Sequence, residues 1–266
     1  MRQINKILTV LASAIVLLCA TAHSYEGKSV LIEANDYFLS GQYEEASVTY
    51  EQMIRSGYKD PTVYYNLSSA YMLLNMPGKA AVNLYRAKRL EPRGDDINKN
   101  LLALNSLLAE RYSEGADVEF NPFGNNNEGG LKSTLLVPMT KSELAGAIFV
   151  LYLLFFIWSM IRKFIKPGAV KLTTGVLAAT SYLFAMVFIV IFLSTFYYES
   201  FYPQAVVMET VELRTSPSED ESHISDILIH EGTLVELSGA YNGWGEVTFG
   251  GTEKTGWIDL TLLEKL

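Results

Sequence analysis

Cysteine and histidine are scarce in this chain of 266 residues: there is one Cys and there are three His. Cys19 lies in the N-terminal apolar stretch, so everything after it lacks a thiol, which excludes disulfides, thiolate catalysis and cysteine-based metal sites there. Lipid attachment at Cys19 needs a small residue just before it, and Leu18 stands in that place. His230-Glu231 has no second His four residues on, so the zinc-protease pattern fails. Neither Gly-x-Ser-x-Gly nor the Gly-x-x-x-x-Gly-Lys-Ser/Thr phosphate loop occurs. Asp220, Glu221 and His223 read as a weak divalent site or a solvated loop, and Glu44-Glu45 as the wet face of a helix. The expectation is a protein that is not an enzyme and carries no cofactor or metal. Basic residues are also few at the C-terminal end. From Glu199 to Leu266 there are 3 against 13 acidic, a net of −10, and from Tyr25 to Lys141 there are 12 against 15, a net of −3. That leaves no footprint for nucleic acid, and an acidic tail is repelled by anionic headgroups.

Acidic residues are absent from one more place. Leu144–Ile161 and Leu172–Tyr198 hold no charge, and the link between them holds only Arg162, Lys163, Lys166 and Lys171. About 20 apolar residues cross a bilayer as a helix, and a basic link stays in the cytoplasm. The pattern predicts a hairpin in the cytoplasmic (inner) membrane, with helices over 142–165 and 172–198 and a cytoplasmic loop over 166–171. Both flanking segments then lie on the outer, periplasmic or extracytoplasmic, side. Thr140-Lys-Ser-Glu143 has capping-box spacing at the start of the first helix. Gly175, Ala178 and Ala179 give a small-residue edge that serves the hairpin itself or a partner helix. No Asp, Glu, Lys, Arg or His lies within either run, which argues against a transporter. Tyr197, Tyr198, Phe201 and Tyr202 suit the outer interface and Trp158 the inner one. Arg2 and Lys6 followed by the apolar Ile7–Leu18 and Ala20-Thr21-Ala22 read as a signal peptide over 1–24, cleaved after Ala22 or Ser24, or retained as an anchor.

Between signal and hairpin the sequence repeats. Tyr37 and Tyr71, and likewise Ala46 and Ala80, are 34 residues apart. With Gly41, Tyr43, Tyr64, Leu67, Leu84, Ala87 and Pro92, these residues resemble the tetratricopeptide repeat, a helix-turn-helix unit of that period, over 27–60 and 61–94. Ile97, Leu101, Leu104, Leu108 and Tyr112 fall on one helical face, so 95–112 reads as a capping helix or half of a third repeat, completing an all-α domain over 25–112. Such arrays imply a peptide groove. Its candidate lining is Asn35, Phe38, Tyr65, Asn66, Ser69 and Met72, with Asn35 and Asn66 either contacting main chain or serving as solvated residues or local caps. A carboxylate clamp is not expected, because Leu31, Asp96 and Asn100 stand where basic residues would be needed. Residues 113–141, with Asn121-Pro122-Phe123-Gly124 and three further Asn, read as a linker in which Phe120, Phe123, Leu135 and Leu136 skim the membrane or stay disordered.

After Pro203 the pattern changes to short alternating runs: 205–207, 211–213, 234–237, 244–247 and 256–258. About five strands suggest a small all-β barrel over 203–266. The landmarks Val211-x-Leu213-Arg214-x-x-Pro217, His230-Glu231-Gly232-Thr233, Gly243-Trp244 and Gly256-Trp257 resemble a bacterial SH3-type domain. Tyr241, Trp244 and Trp257 read as a ligand platform or as residues packing the barrel.

The order of signal, repeats, membrane hairpin and SH3-like tail resembles the Bat (Bacteroides aerotolerance) family, in particular its E-type members. That resemblance implies a multidomain membrane protein acting in aerotolerance or envelope stress. It implies partnership with membrane-anchored von Willebrand factor A-domain proteins and an indirect link to a MoxR-type ATPase. The expected function is a non-enzymatic scaffold for partner proteins outside the bilayer. The alternative is a sensor that binds peptidoglycan through the tail.

Overall fold

Prolines and small residues set the helical half of the molecule. The computed structural model describes residues 27–113, 139–249 and 255–266; the expected signal peptide and most of the expected linker lie outside the described residues. Helix α1 spans 27–39, α2 Tyr43–Arg55, α3 Pro61–Leu73, α4 Pro77–Leu90 and α5 Asp95–Ser113. Proline opens α3 and α4, where its missing N–H is no loss, and Asp60 caps α3 by accepting from the Thr62 N–H at 2.8 Å. The turns after α1 and α3 need left-handed backbone, supplied by Gly41 at φ 77° and Asn75 at φ 58°. Ala34, Ala46 and Ala80 are fully buried, so paired helices approach closely.

Positions 34 residues apart repeat their roles. Val63 and Leu67 pack α3 onto α2, with Ala70 also buried, and Ile97, Leu101 and Leu104 stand 34 residues on, where α5 packs onto α4. The corresponding positions in α1 are Ser29, Glu33 and Asp36, all exposed, so the first helix of the described stack turns a wettable face outward.

Helices α6 (Lys141–Phe164) and α7 (Ala169–Phe201) form an antiparallel pair, each long and apolar enough to cross a membrane. A capping box starts α6: Thr140 Oγ1 accepts from the Glu143 N–H at 3.2 Å, and Glu143 Oε2 accepts from the Thr140 N–H at 2.8 Å. Thr174, Ala178 and Ala185 are buried between the two helices, whereas Ala179 faces out. The small-residue edge therefore serves the pair itself, shifted by one residue from Gly175–Ala179.

The C-terminal part is a seven-stranded antiparallel sheet of order β3-β2-β6-β5-β4-β1-β7. Its strands are β1 Gln204–Val207, β2 Val211–Arg214, β3 Ile224–Ile229, β4 Leu234–Tyr241, β5 Trp244–Phe249, β6 Thr255–Asp259 and β7 Leu263–Lys265. The count corrects the five expected. β3 escapes the pattern because Ser225 and Asp226 interrupt its apolar run, and β7 is only three residues long. Asn242 and Gly243, both with positive φ, make the two-residue β4–β5 turn.

The helices and the sheet share a core. Along β1, Ala205 and Val207 point into the sheet's own core, while Val206 points the other way into a cluster with Tyr85, Leu104 and Leu108. Leu234, opposite Val206 in the register, packs against the same cluster. Polar contacts surround it. Glu231 Oε1 accepts from the Gly78 N–H at 2.8 Å, and Arg86 bonds Glu264 at 2.6 Å and the Lys265 carbonyl at 3.1 Å. β1 and the β3–β4 turn cover the face of α4 and α5.

Candidate functional surfaces

The six residues expected to line a groove do come from the facing helices α1 and α3, but most are held by neighbours. Asn35 Oδ1 accepts from the Tyr50 hydroxyl at 2.6 Å and from Asn66 Nδ2 at 3.0 Å, tying α1, α2 and α3 together. Burial pushes the Tyr50 phenol above its ordinary range, so it stays a donor. Phe38 meets the Tyr43 ring edge-on, with centroids 5.5 Å apart, and Ser69 Oγ donates back to the Tyr65 carbonyl at 3.1 Å. Tyr65 and Met72 are half-buried against the core shared with the sheet. Asn35 Oδ1 and Asn66 Nδ2 thus meet between the helices with the Tyr50 hydroxyl as a third member, a role that sequence spacing did not reveal. Nearby, the Tyr71 hydroxyl donates to Glu51, and Lys79 sits 5.1 Å from the Tyr71 ring centroid.

The three aromatic residues of the tail are brought to one side of the sheet. Strand alternation sends Val247 of β5 and Ile258 of β6 inward, so Trp244 and Trp257 face away from the sheet core. Register places Tyr241 opposite Trp244, Trp244 opposite Asp259, and Trp257 opposite both Glu246 and Arg214. The Arg214 guanidinium lies 5.2 Å from the Trp244 ring centroid and donates to the Ser218 and Asp220 carbonyls at 2.9 and 3.1 Å. Both Trp residues are partly buried and Tyr241 is 59% exposed, and neither Trp belongs to the buried cluster at the centre of the sheet. The same side of the sheet near Val206 and Leu234 is taken by the helices. Arg214 is the member that sequence reading passed over: it stood there only as a landmark of the pattern, and the stacking depends on a cross-strand register that spacing does not reveal.

The acidic loop is locally committed. Asp220 Oδ1 accepts from the Ser222 N–H at 3.0 Å, which holds its carboxyl below the usual range and caps the short turn Glu221–His223. Among the described residues no group of three or more His, Cys, Asp or Glu is placed to hold a metal ion. Shallow space beside α1, lined by Ser29, Ile32, Glu33, Asp36, Tyr37 and Ser40, is open and mixes polar and apolar groups.

Comparison of the chain with protein-family models, with curated proteins and with solved structures finds no match.

Proposed function

We propose that the chain is a membrane-anchored scaffold without enzymatic activity, whose tetratricopeptide-like helices and SH3-like barrel act as one docking body outside the cytoplasmic membrane. The observation that carries this reading is the shared core around Val206, Leu104 and Leu108, together with the way the long helices join the body built on it. Arg93, between α4 and α5, pairs with Glu143 at the start of α6, and α7 ends at Phe201, three residues before β1. Both ends of the apolar pair thus open toward the same body, as a hairpin with a cytoplasmic basic link requires. The face assigned to partners is the aromatic one, Tyr241, Trp244 and Trp257 with Arg214, a reading supported by the exposed Tyr241 ring and the Arg214 cation beside Trp244.

On the family resemblance, the partners are von Willebrand factor A-domain membrane proteins in an aerotolerance or envelope-stress system, linked indirectly to a MoxR-type ATPase. The test is purification of the tagged full-length protein from crosslinked membranes, with mass spectrometry of what accompanies it. Recovery of von Willebrand factor A-domain proteins, lost in Trp244→Ala, is the expected result. Their absence in the unaltered chain removes the scaffold reading. The second reading, a sensor binding peptidoglycan, rests on the same aromatic face, which suits stacking on a flat or amphipathic ligand. Purified wall that retains the full-length protein, but not Trp244→Ala, would favour it.

A further inference from the structure

Between residues 169 and 195 of α7, hydroxyl groups divide into those the helix satisfies itself and one, on Tyr182, that it cannot reach. Thr173, Thr174, Thr180, Ser181, Ser194 and Thr195 each donate to a backbone carbonyl three or four residues back, at 2.8 to 3.1 Å. A tyrosine hydroxyl is too far from its own backbone for that. Tyr182 is 52% exposed and Tyr152 of α6 is 59% exposed. The two lie at one level on one side of the pair, with Phe155 between them: the Phe155 ring is 6.5 Å from Tyr152 and 5.6 Å from Tyr182.

Their depth follows from helix rise. Tyr152 is near the middle of the uncharged run Leu144–Ile161, roughly 12 Å from its outer end, and Tyr182 is roughly 15 Å from Leu172 at about 1.5 Å per residue. In a hydrocarbon core of about 30 Å both phenols sit at mid-depth, far from the interfaces where tyrosine is usually found. Lipid tails offer nothing to bond, and a hydroxyl left alone in hydrocarbon is costly. A phenol both donates and accepts. Two such groups on one face are therefore self-complementary under a two-fold axis, with Tyr152 of each copy facing Tyr182 of the other.

We infer that the Tyr152–Phe155–Tyr182 face binds a second copy of this chain, making a symmetric four-helix unit in the bilayer. This rests on the membrane-hairpin reading above. Two hydroxyl contacts per dimer, each worth about threefold in a bilayer, give roughly ninefold in the dimerisation constant.

The test uses the full-length protein in lipid discs with Cys19→Ala as background. Met186→Cys, one turn from Tyr182 on the outward side, should form an oxidised dimer. Phe184→Cys, on the other side of α7, should not. Adding Tyr152→Phe and Tyr182→Phe, which keep the rings and remove the hydroxyls, should lower the dimer constant several-fold. One copy per disc by native mass overturns the inference. So does a dimer that links equally through Phe184→Cys, one indifferent to the Phe variants, or a crosslink from Met186→Cys only to a different protein. Alkaline carbonate extraction is run in parallel: a chain that washes off the membrane fails the hairpin reading, whereas one that is retained as a monomer fails only the interface.

Discussion

Val206 separates a docked sheet from an independent one. If the sheet stood alone, a valine turned away from its core would be a surface residue, and Val206→Ala would change stability by less than about 0.5 kcal/mol. In the structure Val206 is fully buried among Tyr85, Leu104 and Leu108, outside the cluster that holds the sheet together. Removing two methyl groups then costs about 1.6 kcal/mol in transfer alone, at about 0.8 kcal/mol each. A residual cavity raises the total to about 2–3 kcal/mol. For a body of this size that is a fall in melting temperature of roughly 5–8 °C. Circular dichroism of the full-length protein in lipid discs, followed at a helical wavelength, reads it directly. Leu213→Ala, which damages only the sheet core, serves as the comparison. If the helices melt unchanged in Val206→Ala while the sheet signal falls in Leu213→Ala, the shared core is refuted.

Asn35→Ala should destabilise the helices by about 1–3 kcal/mol, because it strands the Tyr50 hydroxyl and the Asn66 amide; a surface residue would give almost nothing, and urea unfolding distinguishes the two. His230, buried beside the Glu231 that bonds Gly78, has its pKa lowered by burial from the ordinary 6.5. The folded chain binds fewer protons there than the unfolded one, so stability should fall as pH drops below about 6.5, and His230→Gln should flatten that step in melting curves taken from pH 7.5 to 5. Arg214→Ala removes the cation over Trp244 and two bonds to the Ser218 and Asp220 carbonyls; the β2–β3 turn should exchange amide hydrogens faster, with a loss of about 1.5–3 kcal/mol, and Arg214→Lys should not restore it.

Elements with a strong period were readable from the sequence. The 34-residue spacing of tyrosines and alanines pointed to paired helices before residue 94, the apolar face from Ile97 to Tyr112 to a further helix, and the capping box to the start of α6. The long apolar helices needed only composition. Weak or interrupted patterns did not reveal themselves: β3, broken by Ser225 and Asp226, and the three residues of β7. Least legible was the contact between halves. Val206 sits in a run of three apolar residues, Ala205-Val206-Val207, which reads simply as a buried strand; that alternate residues serve two different cores is visible only once β1 has neighbours on both sides. The aromatic face was half legible. Tyr241, Trp244 and Trp257 stand out by residue type, but that Tyr241 shares the side of the two Trp residues depends on the register shift between Leu237 and Gly239, which no spacing rule anticipates.

The shared core has a consequence for how any partner is felt. Glu231 and Gly232, in the turn joining β3 to β4, press on α4 and α5: Glu231 bonds the Gly78 N–H, and a Cβ at Gly232 would stand 2.9 Å from Leu108 Cδ1. Strand β4 runs from that turn to Tyr241 on the aromatic face. A ligand gripping Tyr241 and Trp244 therefore pulls on a strand whose other end is wedged into the helices, and the helices are tied through Arg93 to the start of α6. Gly232→Ala introduces a side chain at φ 85°, where a non-glycine residue is strained, and crowds Leu108. It should loosen the helix–sheet contact while leaving Tyr241, Trp244 and Trp257 in register. Protease cleavage between sheet and helices, set against binding at the aromatic face, then separates the two effects. Faster cleavage with unchanged binding would mean that the face works alone, and faster cleavage with weakened binding that the body works as one.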